Sequence, residues 1–155
     1  MTRLTKNFRM EEFLVSSTAD ANGIANTPTA THEKRIREVL APGLQDIRDA
    51  LGVAVVITSA YRNPKVNRLV GGTPTSDHPN AWAADIRAAG HSAFGLAKAI
   101  EAMMEPGGVI EGRIDQLILE TSRRVVHVSF APRRRGEKKT QRGPAGTAFT
   151  PGIVA

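Results

Sequence analysis

His78 stands seven residues before Asp85, and His127 follows far downstream. Two imidazoles and a carboxylate form a three-ligand set for zinc that leaves the fourth position to water. Catalytic rather than structural zinc sites are built this way. The chain has 155 residues and no cysteine, which excludes thiolate metal sites, a disulfide scaffold and thiol catalysis. Any metal must be held by His, Asp and Glu, and the histidines are four: His32, His78, His91 and His127. Spacing by itself leaves open that these are ordinary histidines, and His32 and His91 read as solvated residues near helix starts. His127 carries a further signal. It alternates with Val126, Val128 and Phe130, so those three face a core while His127 shares the other face with Val125 and Ser129. A polar residue opposite a full apolar stripe suits the wall of a site.

The elements that must position these groups are legible in outline. Residues 8–15 read as a short helix and residues 16–31 as a long irregular loop rich in Ser, Thr, Asn and Pro. Ile36, Leu40, Leu44, Ile47 and Leu51 recur in steps of three and four, predicting an amphipathic helix over residues 33–51 with Thr31 as N-cap. Pro42 must kink that helix or divide it, and Gly52 stops it. The β-branched run at 53–59 predicts a buried strand, residues 61–72 a connection, 83–86 a short strand and 92–104 a second amphipathic helix. Strands over 116–120 and 125–130, separated by four residues, predict a hairpin. The order does not alternate as βαβ units do. The expected class is therefore α+β, a small, largely antiparallel sheet with helices packed on one face. Residues 1–137 read as one domain and 138–155 as a basic, then Gly- and Pro-rich tail, extended or mobile at its end.

The formal net charge is +6 and is unevenly placed. Arg133, Arg134, Arg135, Lys138, Lys139 and Arg142 stand against Glu137 alone. Such a stretch suits contact with an anionic wall polymer or membrane. It has no interleaved aromatic, so base stacking and specific nucleic-acid binding have no support. No stretch approaches the roughly 20 apolar residues of a transmembrane segment. The start, from Met1 to Phe8, lacks the apolar run of a signal peptide, so synthesis in the cytoplasm is expected.

Five segments in order resemble one family. The run Ser76-Asp77-His78-Pro79-Asn80-Ala81-Trp82-Ala83-Ala84-Asp85 resembles the Ser-x-His-x-x-Gly-x-Ala-x-Asp motif of the M15 zinc peptidases, the D-Ala-D-Ala carboxypeptidase and phage endopeptidase group. Residues 8–28 resemble that group's N-terminal Phe…Glu-Phe…Ser…Asn-x-Pro segment. Ile57-Thr58-Ser59-Ala60-Tyr61-Arg62, with Asn67 and Val70-Gly71-Gly72 after it, resembles its Ile-Thr-Ser-Gly-Tyr-Arg strand end. Residues 115–120 and 126–130 resemble its closing strands. The resemblance spans residues 8–137 and implies a fold like that of the D,D-peptidases and the hedgehog signalling domain. It implies zinc held by His78, Asp85 and His127. Arg62 would bind a substrate carboxylate or the oxyanion, which a forked guanidinium suits. Ser76 would donate a hydrogen bond near the metal.

Three positions depart from the family pattern. Ala81 and Ala60 replace glycines, at a cost of about 1 kcal/mol wherever the backbone needs positive φ. Several members carry a Glu three residues before the last ligand, where this chain has Arg124. Glu120 is then the favoured general base. With a four-residue turn over 121–124, Glu120 lies opposite Val125 and Ile118 opposite His127, which makes Glu120 and His127 diagonal neighbours on one face. A three-residue turn would flip Glu120 away. Asp77 and Asp115 are the reserves. The expected function is a zinc-dependent peptidase cutting stem or cross-bridge peptides of bacterial peptidoglycan, as a D,D-carboxypeptidase or endopeptidase. The small size and phage-like cast point to a lysis protein or virion-associated wall hydrolase. The alternative is an inactive murein-binding or virion structural module on the same fold.

Overall fold

Strand alternation divides the sheet into an apolar and a polar face in the computed structural model, which describes residues 2–155. The strands are β1 (Val55–Ser59), β2 (Ala83–Ala88), β3 (Gln116–Glu120), β4 (Val125–Ser129), β5 (Glu137–Gln141) and β6 (Phe149–Pro151). They form one six-stranded sheet in the order β1-β2-β4-β3-β5-β6. All pairs are antiparallel except β3 with β5, which is parallel. The class is α+β, as the sequence predicts.

The apolar face carries Ala84 and Ile86 of β2, Leu117 and Leu119 of β3, and Val126 and Val128 of β4, all buried. Helix α5 (Ala93–Met104) packs across these three strands, and α3 (Ala41–Leu51) packs on α5. The stripe Ile36, Leu40, Leu44 and Ile47 is fully buried in this layer. Gly43 is there for space: a Cβ would sit 2.4 Å from the Phe130 ring.

The long first helix begins earlier than its pattern implies. Thr29, not Thr31, caps it, and its side chain accepts from the His32 amide. The chain passes Pro42 without a break: α2 (Ala30–Arg35) runs into a π-helical turn at Ile36–Leu40 and then into α3. Pro42 lacks an amide and its ring crowds the carbonyl of residue 38. The wider turn accommodates that, with the Ala41 amide bonded to the Ile36 carbonyl.

Two short helices lie where the sequence predicts only irregular chain, α1 (Ser17–Ala21) and α4 (Pro64–Leu69). Both have side-chain caps, Ser16 accepting from the Ala19 amide and Asn63 from the Val66 amide. The stretch from residue 137 onward supplies β5 and β6. Among the described residues, no helix is long and apolar enough to cross a membrane.

Candidate metal centre

The polar face of the sheet is built by register. Asp85 of β2 lies opposite His127 of β4, which lies opposite Ile118 of β3. The turn over 121–124 has four residues, so Glu120 faces Val125 and shares the His127 side of the sheet. His78 reaches the same point from the loop before β2. His78, Asp85 and His127 are all buried, and each offers a ligand atom within 4.8 Å of the others.

Asp85 Oδ1 is the hub, 3.2 Å from His78 Nε2 and 3.0 Å from His127 Nδ1. Tetrahedral zinc with bonds of 2.0–2.1 Å has ligand–ligand edges of about 3.3 Å, close to both distances. His78 Nδ1 lies 2.6 Å from the Ala60 carbonyl, which can only accept, so Nδ1 carries the proton. Nε2 of the neutral ring then presents a lone pair to the Asp85 carboxylate. Burial keeps His78 below its ordinary pKa, outweighing the pull of Asp85. Burial alone would raise Asp85, but His78 and His127 together hold its carboxyl well below the usual range. Two electron-rich atoms at this separation call for a cation between them. A histidine whose second nitrogen is fixed on a backbone carbonyl is the usual arrangement of a metal ligand. The residues present fit a zinc ion.

Three buried polar atoms around this point have no hydrogen-bond partner: His127 Nε2, Glu120 Oε2 and Arg62 Nε. Buried polar atoms are normally satisfied, so their convergence marks a place meant for something else. All three residues line one cleft of about 280 Å³, together with Ser76, His78 and Asp85. Burial, and then the charge of Asp85, raises the Glu120 pKa above the ordinary carboxylate value, as suits a base. Its Oε1 is 3.8 Å from Arg123, a loose contact.

Arg62 is placed by the N-terminal segment. Asn26 donates to the Tyr61 carbonyl and accepts from the Asn63 amide, each at 2.9 Å, bracketing Arg62. The Tyr61 amide also donates to the Phe13 carbonyl at 2.9 Å. Ser76 Oγ accepts from the His78 amide at 3.2 Å and shapes the ligand loop. The same loop is braced by Asn67, against whose amide a Cβ at Gly72 would collide at 2.1 Å.

The reserve carboxylates are otherwise engaged. Asp77 accepts from Ser129 and pairs with Arg133. Asp115 takes a bidentate bond from Arg135, at 2.9 and 3.0 Å, and a further ion pair from Arg133. Arg124 sits at φ 57 in the turn, away from the metal face. It lines a separate cavity of about 640 Å³ with Arg87 and Phe94. Of the two replaced glycines, Ala81 has φ 63, and Ala60 is not among the residues with positive φ.

Four residues that sequence reasoning left out of the site, Lys139, Gln141, Thr147 and Phe149, form the far wall of the cleft. The basic stretch that carries the first two is extensively paired: Arg133 and Arg135 with acids near the site, Lys138 with Glu101 and Glu105, Lys139 with Glu137. A family model described as Peptidase M15 matches residues 6–129. No curated protein matches the chain.

Proposed function

The chain belongs to the Peptidase M15 family, and from that premise we propose that it is a zinc-dependent peptidase acting on the stem or cross-bridge peptides of bacterial peptidoglycan. The observation that carries this reading is the shared Asp85 oxygen, held against both imidazoles, with Glu120 and Arg62 on the same cleft. His78, Asp85 and His127 would hold the zinc. When bound, zinc polarises a peptide carbonyl and acidifies a water.

Glu120, on the His127 face of β3, takes the proton of the attacking water and passes it to the leaving amine. Arg62, buried and with Nε unpartnered, offers fork geometry to the oxyanion or to a substrate carboxylate. Asp77 and Asp115, tied to arginines, hold the ligand loop rather than a proton. We assign the protein to wall digestion in a phage context, as a lysis enzyme or virion-associated hydrolase. Contact with anionic polymer would come from the exposed Arg134 and Arg142.

Two measurements test this. Elemental analysis should find one zinc per chain, lost in His78→Ala and in His127→Ala. Mass spectrometry of purified murein after digestion should show new peptide ends, which also separates carboxypeptidase from endopeptidase cutting. A variant that keeps full metal breaks the ligand assignment. Zinc-loaded protein that never opens murein leaves a binding module.

A further inference from the structure

The far wall of the cleft lies beyond the part of the chain that the family shares. The match ends at residue 129, yet Lys139, Gln141, Thr147 and Phe149 line the same cleft as His78, Asp85, Glu120 and His127. Register explains how. Lys139 of β5 lies opposite Ile118, and Ile118 opposite His127, so a row runs Asp85, His127, Ile118, Lys139 across one face. Neighbouring strands are about 4.8 Å apart, which puts the Lys139 backbone about 10 Å from that of His127. Adjacent Lys138 falls on the other face, where Glu101 of α5 and Glu105, just after that helix, hold it at 3.4 and 3.5 Å.

The Lys139 head group is steadied rather than consumed. Its Nζ lies 4.1 Å from the centre of the Phe149 ring and 3.1 Å from Glu137 Oε1. Glu137 is itself held by Gln116 Nε2 at 2.8 Å. An ammonium has three donors, so one pair with Glu137 and one aromatic face leave capacity toward the cleft.

We propose that Lys139, seated on Phe149, is a specificity-determining residue that binds a second substrate carboxylate, distinct from whatever faces Arg62. The proposal rests on the peptidase reading above. An extended peptide advances about 3.4 Å per residue. A residue whose backbone lies about 10 Å from that of a metal ligand therefore meets a side-chain carboxylate about three residues from the scissile bond. The substrate class is a peptide with a free internal carboxylate at that distance. A murein stem whose internal carboxylates are free fits; one whose carboxylates are amidated does not.

Calorimetric titration tests this on zinc-loaded and metal-free protein. The probes are a synthetic murein pentapeptide with free internal carboxylates and the same peptide with them amidated, both keeping a free C-terminal carboxylate. Wild type should bind the free form about tenfold more tightly. Lys139→Met should erase the difference by weakening the free form alone, while Lys138→Met preserves it. Phe149→Ala, which keeps the charge and removes its seat, should reduce the difference in part. Equal binding of both peptides by wild type, binding of neither, or the same loss in Lys138→Met overturns the proposal. If wild type discriminates but never cleaves, the peptidase reading fails and Lys139 stands. If it cleaves without discriminating, Lys139 fails alone.

Discussion

Glu120 must carry a negative charge where burial and Asp85 both disfavour one. In the metal-free protein the sign follows from linkage. A carboxyl whose folded pKa is raised stabilises the fold below the ordinary carboxylate value and loses that contribution as pH climbs through the raised one. Glu120→Gln should therefore melt higher than wild type at neutral pH without metal, and the advantage should vanish in acid. The same substitution should keep zinc and lower turnover at least about 10²-fold, with the acid limb of the wild-type rate profile gone. Loss of less than tenfold would move the base elsewhere. Arg62→Ala should retain metal and lose rate, and Arg62→Lys should rescue it poorly because an ammonium cannot fork. Residue types and spacing left the set of His78, Asp85 and His127 open, strand alternation singled out His127, and the family resemblance put the three together, as the structure also does. Asn26 stood in the Asn-x-Pro segment of the resemblance but its contact did not show, and Lys139 was not singled out at all, because each meets its neighbours here only through pairing across long stretches of chain.

At the scale of elements, the loop carrying His78 is held from two directions. Arg133 bridges Asp77, beside His78, to Asp115 at the start of β3. Arg133→Met strands two buried acids. Breaking a buried pair costs 3–5 kcal/mol, but the Arg133 side chain is 47% exposed and both acids keep other partners. A loss of about 2 kcal/mol is expected, read by chemical denaturation, with zinc affinity falling alongside. On the other side of His78, Ala81 holds φ 63 with its methyl fully buried. Relief of about 1–2 kcal/mol of left-handed strain nearly offsets the lost methyl, so Ala81→Gly should be close to neutral. Ala83→Gly, buried in β2 with ordinary backbone, is the control and should cost about 1 kcal/mol or more. The β3–β4 hairpin was readable because alternation and a four-residue turn fix its register together. β5 was not: Glu137-Lys138-Lys139-Thr140-Gln141 has little β-propensity and no apolar alternation. Its two faces are sorted instead by charge, Lys138 to the helix and Lys139 to the cleft.

For the molecule as a whole, the metal is expected to act as a clasp on the sheet, since its ligands come from β2, β4 and the loop between β1 and β2. Saturating zinc at about 1,000 times its dissociation constant adds about 4 kcal/mol. For a chain of this length that is on the order of 10 °C in melting temperature. A chelator should remove the increment, and His127→Ala should be insensitive to both treatments. The overall class was readable from element order, while the sheet's true width was not, since two of its strands are polar or short. The parallel pairing of β5 with β3 has a consequence for biosynthesis. The ribosome delivers His127 before Gln141, the end of β5, and at 5–20 residues per second the interval is about 1–3 seconds. For that time β3 is an open edge, the kind of surface on which nascent chains of a polysome can aggregate. The strand that will cover it is too charged to join a stranger's sheet, and its Lys138 meets Glu101 and Glu105 only when seated on this one. The composition that hid β5 from a propensity reading is thus also what lets a late strand arrive without recruiting the wrong neighbour.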